Sequence, residues 1–198
     1  MKKIIEAFDR QPIINLKGRR YILNPLIDHM PNTPHELILD VVKELSKLTD
    51  LKKVNKIVGE EDRGGYIAAL IAYKNKKDLA MVKWNPLGLE GDHAVNFRNA
   101  YTKGKMYLHG ISKGDKVILV EDLIDSGGTI IAMIKLLKRV GVKIYGIIAV
   151  AEKIDYHGRE KIRKATGYDV KCLLKVSCSE EKSTVVWVNG KNIKNKNS

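Results

Sequence analysis

The residues with the most chemistry to offer lie in one run, "VILVEDLIDSGGTI", residues 117–130. An apolar stretch leads into the paired acids Glu121 and Asp122, and after Leu123 and Ile124 comes Asp125-Ser126-Gly127-Gly128-Thr129. Glycines let the backbone turn several N–H groups to one side. A following helix adds partial positive charge, and the hydroxyls of Ser126 and Thr129 add donors. That combination makes a cradle for a monophosphate. It is not a P-loop, which ends in Gly-Lys-Ser/Thr, nor the G-x-G-x-x-G dinucleotide fingerprint. Taken alone, "SGGT" is equally a strand–helix connection that carries two glycines. The acids alter that balance, because a carboxylate repels a phosphate unless it serves another part of the same ligand. Vicinal sugar hydroxyls fit, each donating to one carboxylate. The run therefore reads as a site for a ribose 5-phosphate with free 2- and 3-hydroxyls, with Mg²⁺ available to neutralise remaining charge.

Positioning such a site takes a strand before it and a helix after it, and the chain supplies both repeatedly. "KVILV" suits a strand buried on both faces, and "TIIAMIKLLKRVG" a helix that Gly141 terminates. Upstream, "NTPHELILDVVKEL" predicts a helix capped by Asn32 or Thr33 with Pro34 in its first turn. Leu37, Ile38, Val41, Val42 and Leu45 form its apolar stripe. "VNKIVG" and "DLAMVKW" read as short strands flanking the helix "YIAALIAYKN", and "KIYGIIAVAE" as another buried strand. "YHGREKIRKATG" reads as a helix, "VKCLLKV" and "STVVWV" as strands. Alternation of this kind predicts an α/β fold, a central mostly parallel sheet flanked by helices. Residues 1–33 read as irregular, with apolar patches "PIINL" and "YILNPLI". Residues 85–105 show neither helical nor strand periodicity, and a loop that long reads as a lid, a binding loop or a disordered surface.

The 198 residues fit one domain, divided into an N-terminal segment and first helix (1–45), a core (50–190) and a polar tail (191–198). No apolar run reaches the ~20 residues needed to span a bilayer, and "MKKIIEAFDRQP" lacks the features of a signal peptide. Cys172 and Cys178 match no metal spacing, so a reduced, cytoplasmic setting with no membrane partner is expected. The net charge of +13 suits a polyanion, whether nucleic acid, a membrane surface or a phosphorylated small molecule. Much of it is spread over lysine-rich helix faces, and no zinc-finger spacing or aromatic RNA-binding signature accompanies it.

"VILVEDLIDSGGT" resembles, along its whole length, the phosphoribosyl pyrophosphate (PRPP) motif of type I phosphoribosyltransferases. "IVGEEDRGGYIAA" resembles the pyrophosphate-binding loop of that family. Glu61, Asp62, Arg63 and Gly64 stand where the adenine enzymes have acid-Ser-Arg-Gly, so Asp62 departs from the usual serine. "AVAEKIDYHGREKI" resembles a segment of adenine phosphoribosyltransferases through Glu152 and Gly158-Arg159-Glu160-Lys161. Together these cover roughly residues 50–165, and the first 45 align only loosely.

The resemblance implies an enzyme, a pentosyltransferase of purine salvage. It would move the 5-phosphoribosyl group from PRPP to a purine base and release pyrophosphate, with Mg²⁺ as cofactor. Glu121, Asp122, Asp125, Ser126, Gly127, Gly128 and Thr129 would bind PRPP, joined by Glu61, Asp62, Arg63, Gly64 and Lys83. Glu121 and Asp122 would serve a metal only indirectly. Residues 85–105 would form the lid, with Tyr101 and Gly104 in "NAYTKG", although Thr102 replaces the lid glutamate of the adenine enzymes. Residues 10–30 would form a small N-terminal hood over the purine, with Tyr21 and Ile22 stacking on it or offering backbone contacts. Arg63 and Asp125 are the candidate catalytic residues, Arg63 for the leaving group and Asp125 for the proton at purine N7. Asp125 looks like the 6-oxopurine enzymes, whereas the Arg-Gly turn and "GREK" look like the adenine ones. "YTKGKMYLHGISKGDKV" is similar to a stretch of archaeal hypoxanthine/guanine enzymes. Adenine is the favoured base, hypoxanthine/guanine the alternative, and a homodimer is implied. A nucleotide-sensing regulator that binds nucleic acid is the reading from another class. The lack of an appended DNA-binding segment and the intact lid and pyrophosphate turn count against it.

Overall fold

The structure, a computed structural model, describes residues 1–86, 88, 93–98, 103–179 and 181–193. Its centre is a nine-stranded sheet in the order β11-β10-β9-β8-β7-β3-β4-β6-β5. The middle five strands are β3 (Lys56–Glu60), β4 (Asp78–Lys83), β7 (Lys116–Ile124), β8 (Lys143–Lys153) and β9 (Lys171–Ser177). They run parallel, as their continuous apolar composition requires when both faces are covered. Antiparallel strands finish each side: β10 (Thr184–Val188) and β11 (Lys191–Asn192) on one edge, β6 (Lys103–Leu108) and β5 (His93–Arg98) on the other.

Helices cover both faces. On one, α1 (Lys2–Phe8), α2 (His35–Ser46) and α3 (Arg63–Asn75) bury Ile4, Phe8, Leu37, Val41, Leu45, Ile67 and Ile71 against Ile57, Ile118 and Val120 of the sheet. On the other, α4 (Gly128–Val140) and α5 (Gly158–Thr166) bury Ile130, Ile134, Leu137 and Ile162 against Val58, Val117 and Leu119. Gly141, at φ 83°, closes α4 and returns its N–H to the carbonyls of Leu137 and Lys138.

Three local expectations are corrected. Residues 1–33 are not irregular: they form α1 and a hairpin of β1 (Ile13–Leu16) with β2 (Arg19–Ile22). The two-residue turn Lys17-Gly18 has positive φ at both positions, the primed turn that matches strand twist, and four-residue strands are too short to show a period. Residues 85–105 are not without strand structure either. β5 and β6 pair from His93↔Leu108 to Arg98↔Lys103, and Val95 and Phe97 of β5 are buried while Ala94, Asn96 and Arg98 are exposed. The alternation is real, but two buried positions in a six-residue strand are a weak signal. Finally, α2 begins at His35, with Pro34 in extended conformation at the cap and no side-chain cap bond. Thr33 instead donates its hydroxyl to the carbonyl of Pro25 (2.6 Å).

Candidate active site

In the sheet order, β3 lies directly beside β7, yet the chain leaves β3 towards β4 and leaves β7 the opposite way, towards β8. Such a reversal opens a crevice beyond the carboxyl ends of the two strands, where open α/β sheets bind ligands. Both sequence motifs end there. A cleft of about 840 Å³ is lined by Asp62 and Arg63 after β3 and by Glu121, Asp122, Asp125, Ser126, Gly127, Gly128 and Thr129 after β7. Tyr21, Asp28 and His29 of the hood line it, as do Trp84, Phe97 and Gly104.

Close backbone approach sets the geometry. Gly64 in the first turn of α3 lies against the end of β7, where a Cβ would stand 3.1 Å from the Val120 carbonyl and 3.3 Å from Glu121 Oε1. The α3 N-terminus, with its partial positive charge, is thereby placed beside the two acids. Gly127, at φ +79°, precedes α4, and a Cβ there would stand 2.7 Å from the carbonyl of Gly158. A Cβ on Gly158 would collide with the carbonyl of Asp125. The glycine of the "GREK" stretch is therefore the floor under the phosphate turn.

Glu121 and Asp122 are 5% and 3% exposed. Glu121 Oε2 and Asp122 Oδ2 are buried without a hydrogen-bond partner. Burial first, then Asp122 and Glu60, holds the Glu121 carboxyl well above the usual carboxylate range. Two buried acceptors left open are what a ligand with two hydroxyls, or a cation, would fill. Among the described residues no group of three or more His, Cys, Asp or Glu could hold a metal. The two carboxylates could serve a magnesium ion only indirectly, its ordinary ligands beside phosphates being substrate oxygens and water.

Arg63 is held from several sides. Its Nη1 donates to the Tyr21 hydroxyl (2.9 Å), and its Nε lies 3.6 Å from Asp62 and 3.9 Å from Asp122. Burial opposes the guanidinium charge, but Asp122 foremost, with Tyr21 and Asp62, more than offsets it, so its pKa is raised. Tyr21 in turn donates to Asp28 (2.6 Å), and burial with that bond raises its phenol. Asp62, the residue at the usual serine position, has a 64% exposed side chain that leans on Arg63, which offsets its charge.

Asp125 accepts from Arg19 Nη2 at one oxygen and from Lys153 Nζ at the other, each at 2.7 Å. Lys153 is 1% exposed, also donates to the carbonyl of Arg20 (2.6 Å), and lies over the ring of Tyr156. These contacts bind the hood hairpin to the phosphate turn. Arg19 and Lys153 are absent from the sequence-based site. The one available signal was a lysine at the end of a buried strand, in "AVAEKID", which needs a partner acid.

Not every expected residue reaches the cleft. Glu61, Gly64 and Lys83 stand behind its lining, where Glu61 accepts from the backbone N–H of Trp84 (2.5 Å) and lies 3.7 Å from Lys83 Nζ. Ile22 is 1% exposed and belongs to the core beneath the hood. Tyr101 lies outside the described residues. Burial pushes the thiols of Cys172 and Cys178 up to about 12, in keeping with idle cysteines.

The fold and the cleft define an α/β protein that presents a glycine turn, an acid pair and an arginine turn at a sheet's switch point. Residues 33–188 match the phosphoribosyl transferase domain, and the chain belongs to that family. It is 34% identical over 183 residues to a hypoxanthine/guanine phosphoribosyltransferase of Methanocaldococcus infernus, covering 92% of this chain and 99% of that one. A protein of the same name from Methanococcus voltae is 35% identical over 91% of this chain and 95% of its own. Among solved structures, the adenine phosphoribosyltransferase of Thermoanaerobacter pseudethanolicus aligns with TM-score 0.73 at 24% identity, covering 88% of this chain and 98% of that one. That of Rhodothermus marinus aligns with TM-score 0.72 at 20% identity, covering 88% and 97%. At those identities the structures show a shared fold.

Proposed function

We propose that this protein transfers the 5-phosphoribosyl group of PRPP to a 6-oxopurine, hypoxanthine or guanine, with release of pyrophosphate. The observation that carries the choice of base is the full-length likeness to hypoxanthine/guanine phosphoribosyltransferases, with Asp125 at the head of the turn as its counterpart in the site. Adenine, towards which Arg63 and "GREK" lean, is the second reading.

The 5-phosphate would sit on the N–H groups and hydroxyls of Ser126–Thr129 at the start of α4. The ribose hydroxyls would donate to Glu121 and Asp122, whose open oxygens support that role. The α3 N-terminus and Arg63, once turned from Tyr21, would receive the pyrophosphate, with Lys83 pairing Glu61 behind the turn. Bound Mg²⁺ would supply charge neutralisation at the pyrophosphate, held through Glu121 and Asp122 indirectly and through the substrate itself. The β5–β6 hairpin would exclude water from the pyrophosphate end of the cleft.

The purine would lie under the hood beside Tyr21, with Ile22 supporting the hairpin from beneath. Asp125 would serve the N7 proton only after Arg19 or Lys153 gives way, since each of its oxygens already accepts a charged hydrogen bond. Until then it holds the hood in place. A single folding unit, a homodimer and a cytoplasmic setting complete this reading, and no described helix is long and apolar enough to cross a membrane.

Incubation with PRPP, Mg²⁺ and each of adenine, hypoxanthine, guanine, xanthine, uracil and orotate tests it. Nucleotide is expected from hypoxanthine and guanine. AMP alone would establish the second reading, and no nucleotide from any base would sink both.

A further inference from the structure

The deepest acid without a role in the proposed transfer is at the end of β3. Glu60, the last residue of β3, is 5% exposed and lines the cleft. Its Oε1 accepts the backbone N–H of Asp62 (2.9 Å), and the same oxygen accepts the indole N–H of Trp84. Trp84 is fastened to the turn again through its own backbone N–H, which donates to Glu61. Its ring packs on Phe97 of β5 with centroids 4.5 Å apart. Phe97 is paired with Gly104 of β6, whose Cα stands so near that an added Cβ would lie 3.3 Å from the phenyl ring. One chain of contacts thus runs from the Asp62 N–H through Glu60, Trp84 and Phe97 to Gly104, and all five residues line the cleft.

A carboxyl at this depth is expensive to bury, and burial raises the Glu60 pKa to about 7. An apolar residue at the end of β3 would fill the same place without that cost. What an apolar residue lacks is an acceptor that can serve two donors from two elements at once. The Asp62 N–H lies at the mouth of α3, where the turn's own N–H groups must be aimed together to bind an anion. The indole belongs to the wall that continues into the hairpin.

We propose that Glu60 is a positioning residue: through one oxygen it sets the Glu61–Gly64 turn for pyrophosphate and registers the β5–β6 hairpin to that turn through Trp84. The inference rests on the reading of that turn as the pyrophosphate site. The two walls at the pyrophosphate end then keep a common alignment, and a change at one is carried mechanically to the other. The purine end, built from the hood and Asp125, shares none of these contacts and meets the turn only where Arg63 donates to Tyr21.

The full-length protein and its Glu60→Ala and Glu60→Gln variants would be titrated with PRPP and with pyrophosphate in Mg²⁺, and their KM for purine measured. In a Trp187→Phe background, the one remaining indole N–H, that of Trp84, would be followed by NMR. Glu60→Ala should weaken both PRPP and pyrophosphate about tenfold, while Glu60→Gln, which keeps the acceptor oxygen, should stay within about threefold of wild type. The purine KM should hardly move, and the Trp84 indole resonance should shift in the alanine variant and not in the glutamine one. Wild-type pyrophosphate affinity in Glu60→Ala would overturn the inference, as would equal damage in both variants or a purine KM that rises in step. Wild-type protein that binds neither PRPP nor pyrophosphate would instead overturn the reading beneath it.

Discussion

Glu121 and Asp122 are adjacent in sequence, both buried, and each leaves an oxygen without a hydrogen-bond partner, that of Asp122 lying 3.9 Å from Arg63 Nε. Folded proteins rarely leave two such acceptors open unless a ligand completes them. Asp122→Asn removes one charged acceptor and relieves repulsion between the pair. We expect PRPP affinity to fall about 10–100-fold, the range for losing a hydrogen bond to a charged group. Unchanged PRPP affinity by calorimetry would remove the sugar-recognition reading. Glu60 makes a separate prediction. Its folded pKa, about 7, lies above the ordinary carboxylate value, so between about pH 4.5 and 7 the folded state retains a proton that the unfolded state releases. The associated stability is complete below that window and is lost as pH rises through it. Urea titrations from pH 5 to 8 should show a shallower decline in Glu60→Gln than in wild type, and equal slopes would contradict the assignment.

Among the elements, the hood hairpin and the α5 start are the parts that tune the phosphate turn. Gly158 must lack a side chain because the carbonyl of Asp125 and Ile124 Cγ2 occupy its Cβ position. Gly158→Ala should push the turn outward and cost about 1–3 kcal/mol, typical of overpacking, together with a weaker 5-phosphate. Denaturant melts and ribose 5-phosphate binding measure the two effects. A variant that matches wild type in both would show that the floor can yield freely. Arg19 ties the hairpin to Asp125, and Lys153 reaches both Asp125 and the Arg20 carbonyl. Arg19→Ala should speed hydrogen exchange across β1–β2 and raise the purine KM more than the PRPP KM. An increase confined to PRPP would place Arg19 with the phosphate instead.

At the scale of the molecule, one sheet reversal gathers two turns more than fifty residues apart in sequence. Since ligands that bind only the folded state stabilise it, PRPP at a hundredfold over its dissociation constant should add about 2.7 kcal/mol to unfolding. A thermal shift series in wild type and Asp122→Asn checks this, and equal shifts in the two proteins would separate PRPP binding from the acid pair.

Much of this was legible in the chain. Buried strands, amphipathic helices and the phosphate turn are local, because period, glycine placement and paired acids are written within a dozen residues. Short paired segments were not. β1, β2, β5 and β6 contain few buried positions, and each becomes a strand only by meeting its partner. The cation pair on Asp125 was hidden for the same reason: Arg19 lies 106 residues away and Lys153 comes from the neighbouring strand. Sequence alone determined the glycine turn and the acid pair that precedes it, since those depend on residue type and near spacing. Only the tertiary structure decided that Asp125 is clamped by two cations, that Ile22 is core, and that Glu60 joins two walls of the cleft. Those facts depend on which strand lies beside which, and long-range packing sets that order.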